Sequence, residues 1–323
     1  MPNTPTSAPP AASDSLKPAL LKAAQKYARM AASENTRRAY RADWAHFVQW
    51  CRDQRLCPLP AEAETVRLYV AALASTHKLS TIHRRLSVIT RRQRDYGSWT
   101  PAAKKTSAVR DVIRGIQREK GARPEQKRPL STEELRRMVI ALPATPLGLR
   151  NRALLLVGFA GGFRRSELVA IDFADVKDDD DGMTILIRRS KTDQEGEGRK
   201  IGIAYGSDHK TCPVRAYRKW IAAAQITEGP VFRHFHNRTM GNKAITGRVV
   251  ALTVKKAAER VGLDAQSLAG HSLRSGLATT AARNGASEAS IMRQTGHKSV
   301  TMVRRYIREG SLFHDNASGK LGL

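Results

Sequence analysis

The chain is short of acid, cysteine, aromatic rings and long apolar runs, and each shortage excludes something. Its 323 residues hold 29 Asp and Glu against 56 Lys and Arg, a formal net charge of +27. So basic a globular chain repels itself unless a polyanion offsets the charge, and nucleic acid is the leading partner. The three cysteines, Cys51, Cys57 and Cys212, are odd in number and form no CxxC pair. That rules out a disulfide framework or a cysteine zinc site and fits reduced thiols in a cytoplasmic protein. Aromatics make up 6 % of the chain, as expected where Leu, Val, Ile and Ala pack helices. No apolar run approaches the roughly 20 residues of a membrane span. The opening MPNTPTSAPPAASDSLKP lacks the charged-then-apolar order of a secretory leader. Also missing are an HExxH metal helix, a phosphate-binding Walker loop and a GxSxG elbow; the two histidines of HFHNR have no carboxylate near them in sequence.

What is present divides the chain. Residues 1–14 are Pro-, Ala- and Ser-rich and read as a disordered arm. Residues 15–118 show helical periodicity throughout, with Tyr40, Trp44, Phe47 and Trp50 on one face of a single helix. Residues 119–130, EKGARPEQKRPL, carry Pro, Gly and charge without periodicity and read as a linker. Residues 131–323 open on STEE, a capping box, and mix helices with β-like runs at MTILIRRSK and RKIGIA. The expected fold is mainly α with a small antiparallel sheet: a helical N-terminal domain followed by an α+β domain.

The helix over LSTIHRRLSVITRRQRDYG combines an apolar stripe, Ile82, Leu86 and Ile89 with Val88, with Arg84, Arg85, Arg91 and Arg92. Its sequence holds no acid before Asp95, so pairing along the helix leaves most of these arginines unexplained. They read as a helix docked in a DNA groove, with Arg37 and Arg41 on a neighbouring helix as companions.

Four stretches of the second domain bear reactive side chains: GGFRRSEL with Arg164 and Glu167, RRSK with Lys191, GHSLRSG with His271 and Arg274 three apart, and GHKSVTMVRRYI with His297 and Tyr306. Singly, each has a plain structural explanation. Together, two arginines, a lysine, two histidines and a tyrosine are what phosphoryl transfer without a metal requires. Arginine forks match phosphate oxygens, imidazoles add donors, and a tyrosine can attack once its neighbours lower the cost of its anion.

The four stretches, in this order and spacing, resemble the tyrosine recombinase (phage integrase) family, and NTRRAYRADWAHFVQWC and LSTIHRRLSVI resemble the core-binding domain of its Cre-like members. The likeness spans roughly residues 30–310. It implies a SAM-like core-binding domain ahead of a tyrosine-recombinase catalytic domain. It also implies roles: Arg164 and Arg274 clamp the phosphate, His271 is general base or phosphate ligand, and Lys191 is the acid for the 5′-hydroxyl, with Lys200 as the second choice. His297 is a further phosphate ligand, Glu167 orients its neighbours and Tyr306 is the nucleophile. The implied reaction is site-specific recombination through a 3′-phosphotyrosine and a Holliday junction, on double-stranded DNA with inverted-repeat half-sites. It proceeds in a homotetramer, without metal, ATP or other cofactor, and without a membrane. The same residues also serve a type IB topoisomerase-like or telomere-resolving enzyme. The remaining reading is a DNA-binding protein without catalysis, with Tyr306 in its core.

Overall fold

The computed structural model describes residues 16–97, 107–121, 126–190 and 198–310, together with Ser318 and Leu321. It divides into two compact units, Met1–Pro124 and Glu125–Leu323.

The first unit is helical: α1 (Leu16–Met30), α2 (Glu34–Asp53), α3 (Ala63–Ala74), α4 (Leu79–Asp95) and α5 (Ser107–Lys120). Ser33 caps α2, its hydroxyl accepting from the Thr36 amide at 3.3 Å. The core joins Phe47 of α2, Val66 and Tyr69 of α3, Ile82, Leu86 and Ile89 of α4 and Val109 and Ile116 of α5. Of the aromatic face expected on α2, Phe47 is buried, Trp44 and Trp50 pack half-buried beside it, and Tyr40 is half-buried.

The second unit opens on α6 (Thr132–Ile140), where Ser131 and Glu134 form the capping box that STEE foretells. Then come α7 (Pro146–Ala160) and the five-residue α8 (Arg165–Val169). Apolar on nearly every side, α7 lies inside the unit, its Leu154 and Leu155 packed with Met138, Trp220 and Phe232.

A three-stranded antiparallel sheet follows: β1 (Val176–Asp179), β2 (Gly182–Ile187) and β3 (Arg199–Ala204). Ile185 faces Ile201 and Met183 faces Ile203, all buried, while Leu186 and Lys200 point outward. The alternation in MTILI and RKIGI thus sets the register. The acidic run 178–181 is strand in its first half, Asp178 and Asp179 pairing with Met183 and Gly182. After α9 (Pro213–Ala224) comes a hairpin the sequence pattern does not announce, β4 (Arg233–His236) with β5 (Thr239–Ala244). Its strands are half-exposed and polar, without an apolar alternation to reveal them.

The chain continues through α10 (Gly247–Glu259), α11 (His271–Arg283), α12 (Glu288–Thr295) and α13 (Val300–Gly310). A separate apolar cluster of Ala278, Ile291, Val303 and Tyr306 holds the last three helices together. Among the described residues, no helix is long and apolar enough to cross a membrane.

Candidate active site

Three turns of the second unit converge. The first follows α7, where Gly162 takes φ +58°, and a Cβ there would lie 2.5 Å from a Leu277 methyl. The chain then reverses into Arg164, extended at the N-terminus of α8. Glu167, buried one turn on, accepts the Arg164 amide at 3.0 Å through Oε2 and the Arg164 Nη1 at 2.7 Å through Oε1. The guanidinium is held with Nη2 donating to the Gly296 carbonyl at 3.2 Å.

His271 is the first residue of α11, and Arg274 follows three residues later on the same side. Arg274 is 1 % exposed. Its Nη1 donates to the Gly162 carbonyl at 2.7 Å and to the Thr295 carbonyl, whereas the buried Nη2 has no acceptor among the described residues. Burial, then the Arg164 charge, pulls its pKa down to about 10, so it stays a cation at neutral pH. A buried cation with an unused donor is a costly arrangement unless an anion completes it.

His297 stands at the third turn, after Gly296 in the left-handed conformation at φ +65°. Its Nδ1 lies 2.7 Å from the Thr295 hydroxyl. Desolvation first, then Arg274, Arg164, His271 and Arg199, push its pKa to about 3, so the imidazole is neutral.

Tyr306 is buried, its ring 5.8 Å from that of His297 between centroids. Its hydroxyl lies 3.0 Å from Nε2 of His271. His271 is exposed by surface area, yet enough protein surrounds its ring for desolvation to be the main cause of a lowered pKa, ahead of Arg274, Arg165 and Arg164. A neutral imidazole is thereby favoured beside the phenol.

The structure thus brings together Arg164, Glu167, His271, Arg274, His297 and Tyr306, which span 143 positions of sequence. Lys191 lies outside the described residues; Lys200 is exposed on β3, across from Leu186. Two residues of this cluster escaped the sequence reading. Thr295 is fully buried and ties His297 to Arg274. Arg199, at the start of β3, donates to Glu167 at 3.1 Å. An arginine opening an alternating strand is the signal that could have drawn attention to the second; Thr295 leaves none.

The arginines of the first unit are a different case. Asp43 of α2, buried at 3 % exposure, accepts from Nε and Nη2 of Arg84 at 2.6 and 3.0 Å. Arg85 does not point outward as expected of a groove contact. It is 8 % exposed, lies 3.4 Å from Asp43 and donates to the Tyr69 hydroxyl at 3.3 Å. The acid that α4 lacks beside Arg84 and Arg85 is supplied across the helix pair by Asp43, which intrahelical spacing cannot reveal. Arg37 and Arg41 pair with Glu34, Arg91 lies 4.0 Å from Asp95, and Arg92 sits over the Trp44 ring at 5.7 Å. These four line one cavity of about 940 Å³ between α1, α2 and α4.

A helical unit followed by an α+β unit that gathers two arginines, two histidines and a tyrosine is the architecture of a tyrosine-dependent DNA strand-transfer enzyme. Residues 128–311 match the model described as the phage integrase family, and the chain belongs to that family of site-specific tyrosine recombinases. It is 40 % identical over 292 residues to an integrase/recombinase XerD homologue of Selenomonas ruminantium, covering 90 % of this chain and 86 % of that one. Its fold is similar to the solved Tn1549 transposon integrase in complex with transposon right end DNA, with TM-score 0.62, 14 % identity, and 94 % and 99 % of the two chains covered. It is also similar to a lambda integrase tetramer bound to a Holliday junction, with TM-score 0.56, 17 % identity and coverage of 85 % and 72 %.

Proposed function

We propose that this recombinase cleaves and rejoins DNA with Tyr306 as nucleophile. The observation that carries this is the 3.0 Å contact between the Tyr306 hydroxyl and His271 Nε2, beside Arg274 with its unused Nη2. The Tyr306 oxygen attacks the scissile phosphorus while its proton passes to neutral His271. The bond to the 5′-oxygen breaks, leaving a 3′-phosphotyrosine, and Lys191 gives that oxygen its proton. Arg164 and Arg274 receive the charge that builds on the non-bridging oxygens, with His297 completing the set. The 5′-hydroxyl of a partner duplex then attacks the phosphotyrosine, returns the phenol and restores the backbone. Each step breaks one phosphodiester and makes another, so no energy source is consumed.

In this reading the second unit is the catalytic domain and the first a core-binding domain that holds the duplex. The lambda integrase tetramer on a Holliday junction supports a homotetramer exchanging strands between two inverted-repeat sites. Cytoplasmic action fits the odd, unpaired cysteines.

The test uses plasmids carrying two copies of an inverted repeat taken from the DNA beside the gene. The wild-type protein exchanges the sites and Tyr306→Phe does not. Relaxation of supercoils without exchange would instead mark a topoisomerase.

A further inference from the structure

Arg199 fills no role in the chemistry above, yet three parts of the site meet on it. Its guanidinium, half-buried, donates through Nη2 to Glu167 Oε2 at 3.1 Å and through Nη1 to the Gln294 carbonyl at 2.9 Å. Gln294 lies in the last turn of α12, where carbonyls lack helical partners and the helix dipole favours a cation. Its side chain makes a second tie, donating to the carbonyls of Gly202 on β3 at 3.1 Å and of Ala160 on α7 at 2.9 Å.

Gly296 completes the fit. Its φ of +65° turns the chain toward His297, and a Cβ there would come 2.8 Å from Arg199 Nε. The same glycine's carbonyl accepts from Arg164. Among the described residues, Glu167 takes three donors: the Arg164 amide, the Arg164 guanidinium and Arg199. Among the described residues, Arg199 is therefore the side chain that joins β3 both to the carboxylate holding Arg164 and to the turn presenting His297. Packing alone does not account for it. Its Nε is buried without an acceptor among the described residues, and burial is the first cause of its lowered pKa. An apolar side chain would fill the space without that desolvation cost.

We propose that Arg199 is a positioning residue for the recombination site: it fixes Arg164 through Glu167 and His297 through the end of α12, without itself touching DNA. Strand β3 is thereby fastened to the phosphate-holding groups. This inference rests on the function proposed above.

The experiment uses the full chain with Arg199→Met and Arg199→Lys. It measures single-turnover formation of covalent protein–DNA adduct on a nicked suicide duplex, DNA affinity, thermal melting and the titration of the His297 imidazole. For Arg199→Met we expect unchanged affinity and an adduct rate lowered about 10- to 100-fold, the scale of a misplaced reacting group. The His297 pKa should rise, because one of the cations lowering it has gone. Arg199→Lys keeps the charge and reaches one acceptor of the two, so it should recover part of the rate. Three results overturn the inference: a wild-type rate in Arg199→Met, affinity and rate falling in step as for a direct phosphate ligand, or a loss no larger than the unfolded fraction. If Arg199→Met does not fold, Arg199→Lys decides, a reduced rate in folded protein supporting the inference and a wild-type rate ending it. Absence of adduct from the wild type, by contrast, sinks the proposed function itself.

Discussion

At Thr295 a single hydroxyl decides which nitrogen of His297 carries the proton. The hydroxyl donates to the Ile291 carbonyl at 2.6 Å, so its oxygen is left to accept from His297 Nδ1 at 2.7 Å. A neutral imidazole with its hydrogen on Nδ1 has a bare Nε2, and a bare nitrogen cannot donate to a phosphate oxygen. To become a phosphate ligand His297 must gain a proton. The free protein holds its pKa at about 3, and an anion beside it favours the charged form and raises that value. DNA binding should therefore take up a proton, and binding should weaken as pH rises through the raised pKa. Nitrogen-15 NMR of the imidazole in Tyr306→Phe protein, free and with an uncleaved site, measures this; Nε2 staying unprotonated in the complex would contradict it. His271 works in the opposite sense. Its pKa lies below the ordinary value near 6.5, and the proposed mechanism uses it as base while neutral. Cleavage by the wild type should therefore fall on the acid side as His271 takes up a proton, an arm a pH–rate profile would show.

At the scale of elements, α11 carries two of the site groups on a helix pressed against backbone. A Cβ on Gly276 would lie 2.2 Å from the Leu130 carbonyl oxygen, and the Leu130 amide bonds to the Ser272 carbonyl at 3.1 Å. Gly276→Ala must push α11 away and should cost about 1–3 kcal/mol, the usual range of overpacking. Because His271 and Arg274 ride on the same helix, adduct formation should fall as well. Calorimetry with the adduct assay checks both, and an unchanged melting temperature would show that the helix yields freely. In α4, the buried carboxylate of Asp43 grips Arg84 by Nε and Nη2, leaving that half-exposed fork pre-oriented. Asp43→Asn should weaken both the α2–α4 contact and DNA binding, read by melting and by titration with a target duplex. These elements also show what was legible in advance. Periodicity marked α2, α4, β2 and β3, because each buries one face and exposes the other. It missed the β4–β5 hairpin, whose strands have no apolar face, and Asp43, whose partner lies 41 residues away on another helix. Arg164, Glu167, His271, Arg274, His297 and Tyr306, which the structure gathers in the candidate site, stand out in the sequence as motifs. Arg199 and Thr295 do not, since their work is to hold other side chains and carbonyls, and the structure alone brings those together.

For the whole molecule, the excess of 56 basic over 29 acidic residues governs how tightly and how indiscriminately it binds nucleic acid. Several arginines are already paired within the protein, so the net charge of +27 overstates the phosphate contacts available. For about six to ten phosphates neutralised, affinity should fall by about 10³–10⁵ between 50 and 200 mM salt. Titrations at several salt concentrations give the slope, and a flat response would show that charge is not what holds the duplex. The central claim concerns one atom, the Tyr306 hydroxyl oxygen. Incubation with a nicked suicide duplex, digestion and mass spectrometry of the DNA-linked peptide tests it most directly. The prediction is a 3′-phosphate linked to Tyr306 in the wild type and no adduct in Tyr306→Phe. An adduct on another residue, or equal adduct from both proteins, would contradict it.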